Sequence, residues 1–407
     1  MKKYFLKAFI LLIFCFSTLT GQAQFEGVQL SQGAKISLIT CSPGSELYAI
    51  FGHSAVRVND PATGMDVIFN YGTFDFNEPG FYLKFIRGKL NYKLSAADFN
   101  RFVYSYIQDN RSVYEQELNL TYEQQQTYWQ FLTNNYLPEN RFYLYDFFFD
   151  NCATRIRDGV EAAFPEQVTF NIAGMDKDMS FRNLIDLYLP PHPWGDFGID
   201  LGLGAPIDVK ATPYEYMFLP DYLSKGFANA SLVQDGQPVP LVGDIKVIFE
   251  RDMAAVNTTG FFTPMFFGWG LFLIALVITV LNVAKHNRSR LFDTLLYFVT
   301  GFLGLVLFLL WFATDHQAAA NNFNLLWAIP THLVVAFFLS KKIMPRWVVR
   351  YMLLTLVLAV AVLVMWPMWP QQLHIAFFPI ILTLALRAAY MIWYDKKYPR
   401  LTGAKAV

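Results

Sequence analysis

From about Phe261 onward the chain carries five apolar stretches, centred near residues 273, 304, 333, 359 and 383, each about long enough to cross the hydrocarbon core of a bilayer. No other feature constrains the fold as much, because in lipid every backbone polar group must find its partner within the protein, and such stretches solve this as helices. The third is the weakest, since Pro330 and His332 interrupt it. The connecting loops alternate in charge. "AKHNRSR" after the first stretch and "SKKIMPRWVVR" after the third carry Lys285, Arg288, Arg290, Lys341, Lys342, Arg346 and Arg350, whereas "ATDHQAAANN" and "WPMWPQQLH" carry no Lys or Arg. Under the positive-inside rule the basic loops face the cytoplasm, as does the basic C-terminal "DKKYPRLTGAK", and the part before the first stretch lies outside. Trp311, Trp366 and Trp369 fall at the outer boundaries, where interfacial aromatics belong. The expectation is an all-α transmembrane bundle of five helices over residues 261–396 and a cytoplasmic tail at 397–407. Arg387 is the main charge within the stretches, which argues against an ion or proton pathway.

The other end of the chain agrees with export. "MKKYFLKAFILLIFCFSTLTGQAQ" has Lys2, Lys3 and Lys7, then an apolar core, then small and polar residues, the layout of a signal peptide over 1–23 with cleavage after Ala23. An uncleaved anchor is the alternative, and in both cases residue 25 onward is exported. Cys15 lies in that apolar core, which leaves Cys41 and Cys152 in the exported part, where an oxidising compartment could pair them. The chain is formally neutral, so nothing points to a nucleic-acid partner. No pair of His or Cys shows ligand spacing, so neither a metal nor a cofactor is expected.

Residues 25–170 read as an α+β domain. "KISLIT", "AIFGHSAVRV" and "DVIFNYGTF" have strand composition, and the turn-forming "NDPATGMD" joins the last two as a hairpin. In "SAADFNRFVYSYIQDN" the period becomes helical, with Phe99, Phe102, Val103, Tyr106 and Ile107 on one face and Ser95 as the expected N-cap. A second helix starts at Thr121, with Gln124 completing a capping box. "NRFYLYDFFF" returns to strand composition, and a third helix opens at Cys152 with Ile156, Val160 and Ala163 on its apolar face. Residues 171–260 form an extension: "FRNLIDLYL" reads as a short helix, "PPHPWGDFGIDLGLG" and "QDGQPVPLVG" as loops.

A thiolate at a helix N-terminus is stabilised by unpaired backbone N–H groups, which makes Cys152 a candidate nucleophile. His53, on a strand, is the better-placed base of the domain's few histidines. Asn70, on the next strand, orients the imidazole if both side chains face the same way, with Tyr71 and Asp75 as fallbacks. Arg57, Arg155, Tyr71 and Asp75 are the substrate-binding candidates. Arg155 matches a lipid phosphate in geometry, or forms an ion pair with Asp158. Each residue also has a plainer reading: Cys152 as an inert buried thiol or half of a disulfide with Cys41, His53 as a satisfied core group, Asn70 as a strand end.

His in a "GHSAV" strand, a polar residue on the neighbouring strand and "NCATR" opening a helix resemble, in that order, the circularly permuted papain-like fold of NlpC-like peptidases and lecithin:retinol-type acyltransferases. More specifically, "LITCSPGSELYAIFGHSAVRV", "FNYGTFDF", "YEQELNLTYEQ" and "YDFFFDNCATRIRD", spread over about residues 35–170, resemble the DUF4105 family, named for its Lnb-type N-terminal periplasmic domain. That resemblance implies a permuted papain-like thiol domain followed by the five-span bundle, in the inner membrane of a bacterium. It also implies a lipoprotein N-acyltransferase, moving an acyl chain from a membrane phospholipid onto the N-terminal amine of a diacylated lipoprotein, with His53 as base and Cys152 as nucleophile. A cell-wall cysteine peptidase or amidase would use the same pair, and a non-enzymatic membrane protein with a structural disulfide would use neither.

Overall fold

A computed structural model describes residues 25, 27–171, 178–252 and 260–398. The expected signal peptide with Cys15, and the tail beyond residue 398, lie outside the described residues. Two compact units divide the chain: Met1–Phe81, Leu90–Lys177 and Thr212–Val256 form the first, and Tyr82–Lys89, Asp178–Ala211 and Asn257–Val407 the second. The extension read as one piece is therefore shared between them.

In chain order the first half holds β1 (Lys35–Cys41), β2 (His53–Asp60), β3 (Met65–Thr73), α1 (Phe81–Ile86), β4 (Asn91–Asp98), α2 (Phe99–Gln108), β5 (Val113–Leu118), α3 (Tyr122–Tyr136), β6 (Phe142–Leu144) and α4 (Cys152–Ala163). Then come β7 (Val168–Phe170), α5 (Phe181–Asp186), α6 (Pro193–Gly202), α7 (Pro220–Ala228), β8 (Ala230–Gln234), β9 (Gln237–Pro240) and β10 (Val242–Phe249). The membrane part adds α8 (Pro264–Ala284), α9 (Arg290–Phe312), α10 (His332–Leu339), α11 (Arg346–Val364) and α12 (Phe377–Lys397).

The first unit is built on a seven-stranded sheet in the order β10-β5-β1-β2-β3-β4-β6, with a smaller sheet β7-β8-β9. Alternation along the strands sorts its core into two clusters. Ile36, Leu38, Val56, Val58 and Phe69 pack with Trp129 of α3 and with Cys152, Ile156 and Val160 of α4. Ile39, Cys41, Ala55 and Ile68 pack with Phe99, Phe102, Val103 and Tyr106 of α2. Residues one apart on a strand thus reach different clusters, as period two requires.

Several local expectations shift. Ser95 lies within β4, and α2 is capped instead by Asp98, whose carboxylate accepts from Arg101 N–H at 2.8 Å. The Thr121 capping box with Gln124 is formed. "PPHPWGDFGIDLGLG" contains a helix, α6, because Pro193 stands in its first turn, where the missing N–H costs nothing. "QDGQPVPLVG" contains β9 and the start of β10, and its Pro238 and Pro240 are tolerated because β9 is an edge strand.

In the second unit four helices among the described residues, α8, α9, α11 and α12, are long and apolar enough to cross a membrane. The third apolar stretch differs from the expected full helix. It forms a 3₁₀ turn at Phe323–Leu326, an irregular passage through Pro330, and then the short α10. The chain still passes from one end of the bundle to the other: Phe323 N–H donates to Gln371 Oε1 at 2.6 Å, and at the far end Arg288 donates to Lys341 O at 2.8 Å and Arg290 to Ser340 O at 3.2 Å. The two basic loops therefore lie at the same end, as their charge requires. Non-helical backbone at membrane depth is stable only when covered by protein. Here Trp327, Ala328 and His332 are buried, and Gly304 of α9 lets the backbone close in, since a Cβ there would stand 2.0 Å from Ala328 O. Arg387 is fully buried and bonds Asp293 at 2.8 Å, Thr279 at 2.7 Å and Asn282 at 3.2 Å, so its charge belongs to a helix-joining network.

Candidate active site

His53 is the first residue of β2. The preceding Gly52 has φ +79°, and a Cβ on it would meet Cys41 O at 2.8 Å, so the turn that delivers the histidine requires glycine. Continuing the β2–β3 register beyond Val56↔Phe69 puts Ala55 opposite Asn70, which makes His53 and Asn70 diagonal neighbours on one face. They meet with His53 Nε2 2.7 Å from Asn70 Oδ1. A carboxamide oxygen only accepts, so Nε2 carries the ring proton and donates it, leaving Nδ1 as the acceptor. The Cys152 thiol hydrogen-bonds the same imidazole, and Nδ1 is the nitrogen left for it. Pairing between β3 and β4 slips between Asn70 and Thr73, the kind of irregularity that re-aims side chains beside a site.

Cys152 stands at the first position of α4 because Asn151 caps the helix in both directions. The Asn151 Oδ1 accepts from Ala153 N–H at 2.8 Å and Thr154 N–H at 2.9 Å, while Thr154 Oγ1 accepts from Asn151 N–H at 2.8 Å. Its Nδ2 donates to Phe147 O at 2.7 Å and Phe218 O at 2.8 Å, tying the turn to the loop before α7. Around this turn Phe147 packs on Phe51 at 4.8 Å and on Phe218 at 5.7 Å, so the segments that carry the cysteine and the histidine are joined by aromatic packing.

Burial alone would raise the Cys152 thiol, which is 7% exposed, but the His53 charge and hydrogen bond, with backbone N–H groups of Ser54 and Ala153, bring its pKa below the ordinary thiol value. Burial alone would lower His53, but the Cys152 charge and the hydrogen bonds with Cys152 and Asn70 raise it. The pair therefore favours thiolate and imidazolium together. Cys41 is opposite in character: burial pushes its pKa up to about 12, against the pull of Arg111 and a hydrogen bond with Tyr106. Both thiols are free, so they form no disulfide with each other.

The other candidates are engaged in contacts of their own. Arg57 is held by Asp66 at 2.8 and 2.7 Å and by Glu115 at 3.1 Å, and its guanidinium lies over the Phe99 ring. Arg155 forms a two-pronged pair with Asp150 and covers the Tyr143 ring, while it is Arg157 that pairs with Asp158, at 2.7 Å. Tyr71 is buried in the core cluster. Asp75 is exposed and caps a turn through Asn77 N–H at 2.9 Å. Asn70, not a fallback, is the residue bonded to His53 Nε2.

One group outside this site has metal-like proximity: ligand atoms of Asp196, Asp200 and His374 lie within 4.8 Å of one another. Its atoms are already engaged. Arg182 pairs with Asp200, His374 Nε2 lies 3.3 Å from Asp196, and His374 Nδ1 accepts from Ala376 N–H at 3.1 Å. Sequence reasoning passed over Asn151, although Asn three residues before Thr at a helix start is a legible capping signal. It also passed over Tyr143, whose buried hydroxyl has no hydrogen-bond partner among the described residues and for which composition offers no signal.

A thiol, an imidazole and a carboxamide assembled on an α+β unit, in a chain with several apolar helices, define a multi-pass membrane protein with a thiol site. Two family models match it: one described as the Lnb N-terminal periplasmic domain over residues 25–185, the other as the Lnb transmembrane domain over 256–398. Between them they cover most of the chain, which belongs to an Lnb-type family with a periplasmic N-terminal domain. No curated protein and no solved structure matches it significantly.

Proposed function

We propose that this protein is a thiol-dependent lipoprotein N-acyltransferase of permuted papain-like fold, set in the inner membrane with its C-terminus in the cytoplasm. The observation that carries the reading is the Cys152–His53–Asn70 arrangement, in which the imidazole proton is fixed on Nε2 and Nδ1 serves the sulfur. The Cys152 thiolate attacks the ester carbonyl of a membrane phospholipid, forming the S–C bond. The ester C–O bond breaks as imidazolium His53 protonates the departing alkoxide, giving a lysophospholipid and an acyl-enzyme. The unprotonated α-amine of a diacylated lipoprotein then attacks the thioester. His53 takes up the amine's proton, the C–S bond breaks, and the amide leaves with Cys152 regenerated. The N–H of Cys152, at the head of α4 and outside the intrahelical ladder, is a donor for the oxyanion.

One further feature supports the reading. A membrane-embedded chain holds donor and acceptor in the bilayer it occupies, which supplies effective concentration. With their ion pairs formed, Arg57 and Arg155 take no substrate role in this scheme.

The test is a reconstituted reaction of the full chain with phospholipid and a synthetic S-diacylglyceryl-cysteinyl peptide. Lysophospholipid appearing in step with N-acyl peptide supports transfer. Free fatty acid without N-acyl peptide, or hydrolysis of a cell-wall peptide instead, would assign the site to the peptidase class.

A further inference from the structure

Tyr82–Lys89, which is helix α1 apart from its first residue together with the residues after it, groups with the membrane unit. Tyr82, Leu83, Phe85 and Ile86 are each more than half exposed there. The backbone is tied to the loop after α9: Asp315 N–H donates to Arg87 O at 3.0 Å, His316 Nε2 donates to Phe85 O at 3.2 Å, and Lys89 Nζ lies 3.5 Å from Asp315. Helix α9 ends at Phe312, itself exposed, so α1 is fastened beside the point where that helix ends. Arg87 is exposed on the same segment. An exposed apolar cluster next to a basic side chain, at the depth of a span's end, matches the boundary between acyl chains and phosphate headgroups. We propose that α1 is an interfacial anchor, its apolar side chains set into the outer-leaflet surface and Arg87 among lipid phosphates. The proposal rests on the membrane setting and not on the acyl-transfer reading.

Nitroxide labels at Leu83→Cys and Ile86→Cys, in full-length Cys152→Ala protein in phosphatidylethanolamine–phosphatidylglycerol bilayers, test it. Collisions with dissolved oxygen should outnumber those with a water-soluble nickel complex, reversing the ratio found at Thr63→Cys in the exposed β2–β3 turn. Labels as open to nickel as Thr63, or shielded from both relaxants by protein, would overturn it.

The orphan hydroxyl of Tyr143 carries a second inference independently. This side chain on β6 is 8% exposed, and its Oη is buried without a hydrogen-bond partner among the described residues. A point beside Gly72, where a Cβ would stand, is 4.0 Å from that oxygen and 3.9 Å from Cys152 Cβ, so the hydroxyl and the cysteine flank the same point. Burial, with the Cys152 charge, pushes the phenol well above its usual range, so it stays an O–H donor. Resting on the acyl-transfer reading, we infer that Tyr143 donates to the oxyanion of the tetrahedral intermediates. In Tyr143→Phe, thioester formation should slow about a hundred-fold. Alkylation of Cys152 by iodoacetamide, which passes through no oxyanion, should keep its rate and pH midpoint. Unchanged thioester formation, or equal loss of both reactions, would overturn the inference. A wild type that alkylates but forms no thioester would instead overturn the acyl-transfer reading.

Discussion

Cys41 and Cys152 are both free, both buried and both close to one histidine, since Cys41 is the register partner of His53 in the β1–β2 ladder. Their chemistry diverges. Cys41 sits in the α2 cluster, and burial drives its thiol up to about 12. Cys152 is also buried, yet its pKa falls below the ordinary value because donors converge on its sulfur: the imidazole and the N–H groups of Ser54 and Ala153. Burial by itself makes a thiol inert, and burial with aimed donors makes it reactive. The difference lies in what surrounds each sulfur and not in how deep it lies.

Cys152→Ala should break the comparison most sharply, lowering transfer by at least about a thousand-fold while leaving the melting temperature close to that of the wild type, as activity and thermal unfolding would show. His53→Ala removes the largest stabilisation of the thiolate. The sign follows from the two shifts: thiolate in the wild type persists as pH falls below the ordinary thiol range and is lost on passing the lowered Cys152 value, while imidazolium persists above the ordinary His range. Transfer should therefore be bell-shaped in pH, and in His53→Ala the midpoint of iodoacetamide alkylation should climb, because only the Ser54 and Ala153 N–H groups then oppose burial.

Asn70→Ala frees the ring and should cost about a hundred-fold in kcat. Asn151→Ala should act mainly on stability, by about 2–4 kcal/mol in denaturant unfolding, since it removes a cap and strands the carbonyls of Phe147 and Phe218. Cys41→Ala is the smallest change. It should cost about 1 kcal/mol of stability and leave the alkylation profile of Cys152 in place.

The Cys152 side of this contrast was partly legible in the sequence, whereas Cys41 was read there only as a candidate disulfide partner. His53 and Asn70 could be paired because the hairpin turn sets the β2–β3 register, and register decides which side chains share a face. Cys152 could be placed at a helix start because the apolar spacing of Ile156 and Val160 begins there. The arginines were harder to read. Arg57 meets Glu115 across 58 residues, a tertiary contact with no local signature. Arg155 reaches back to Asp150 in the turn before the helix, and so does not meet Asp158 on its own helix. The third membrane stretch kept its apolar composition but not its helix, because Pro330 removes a backbone donor and the buried Gly304 contact offers the chain another route.

The most direct test of the central claim is the intact mass of the purified protein after incubation with phospholipid, beside Cys152→Ala. The account predicts a mass increase of one fatty-acyl chain on the wild type, removed by neutral hydroxylamine and absent from the variant. A wild type that gains no mass while Cys152 remains open to alkylation, or an adduct that persists in Cys152→Ala, would contradict it.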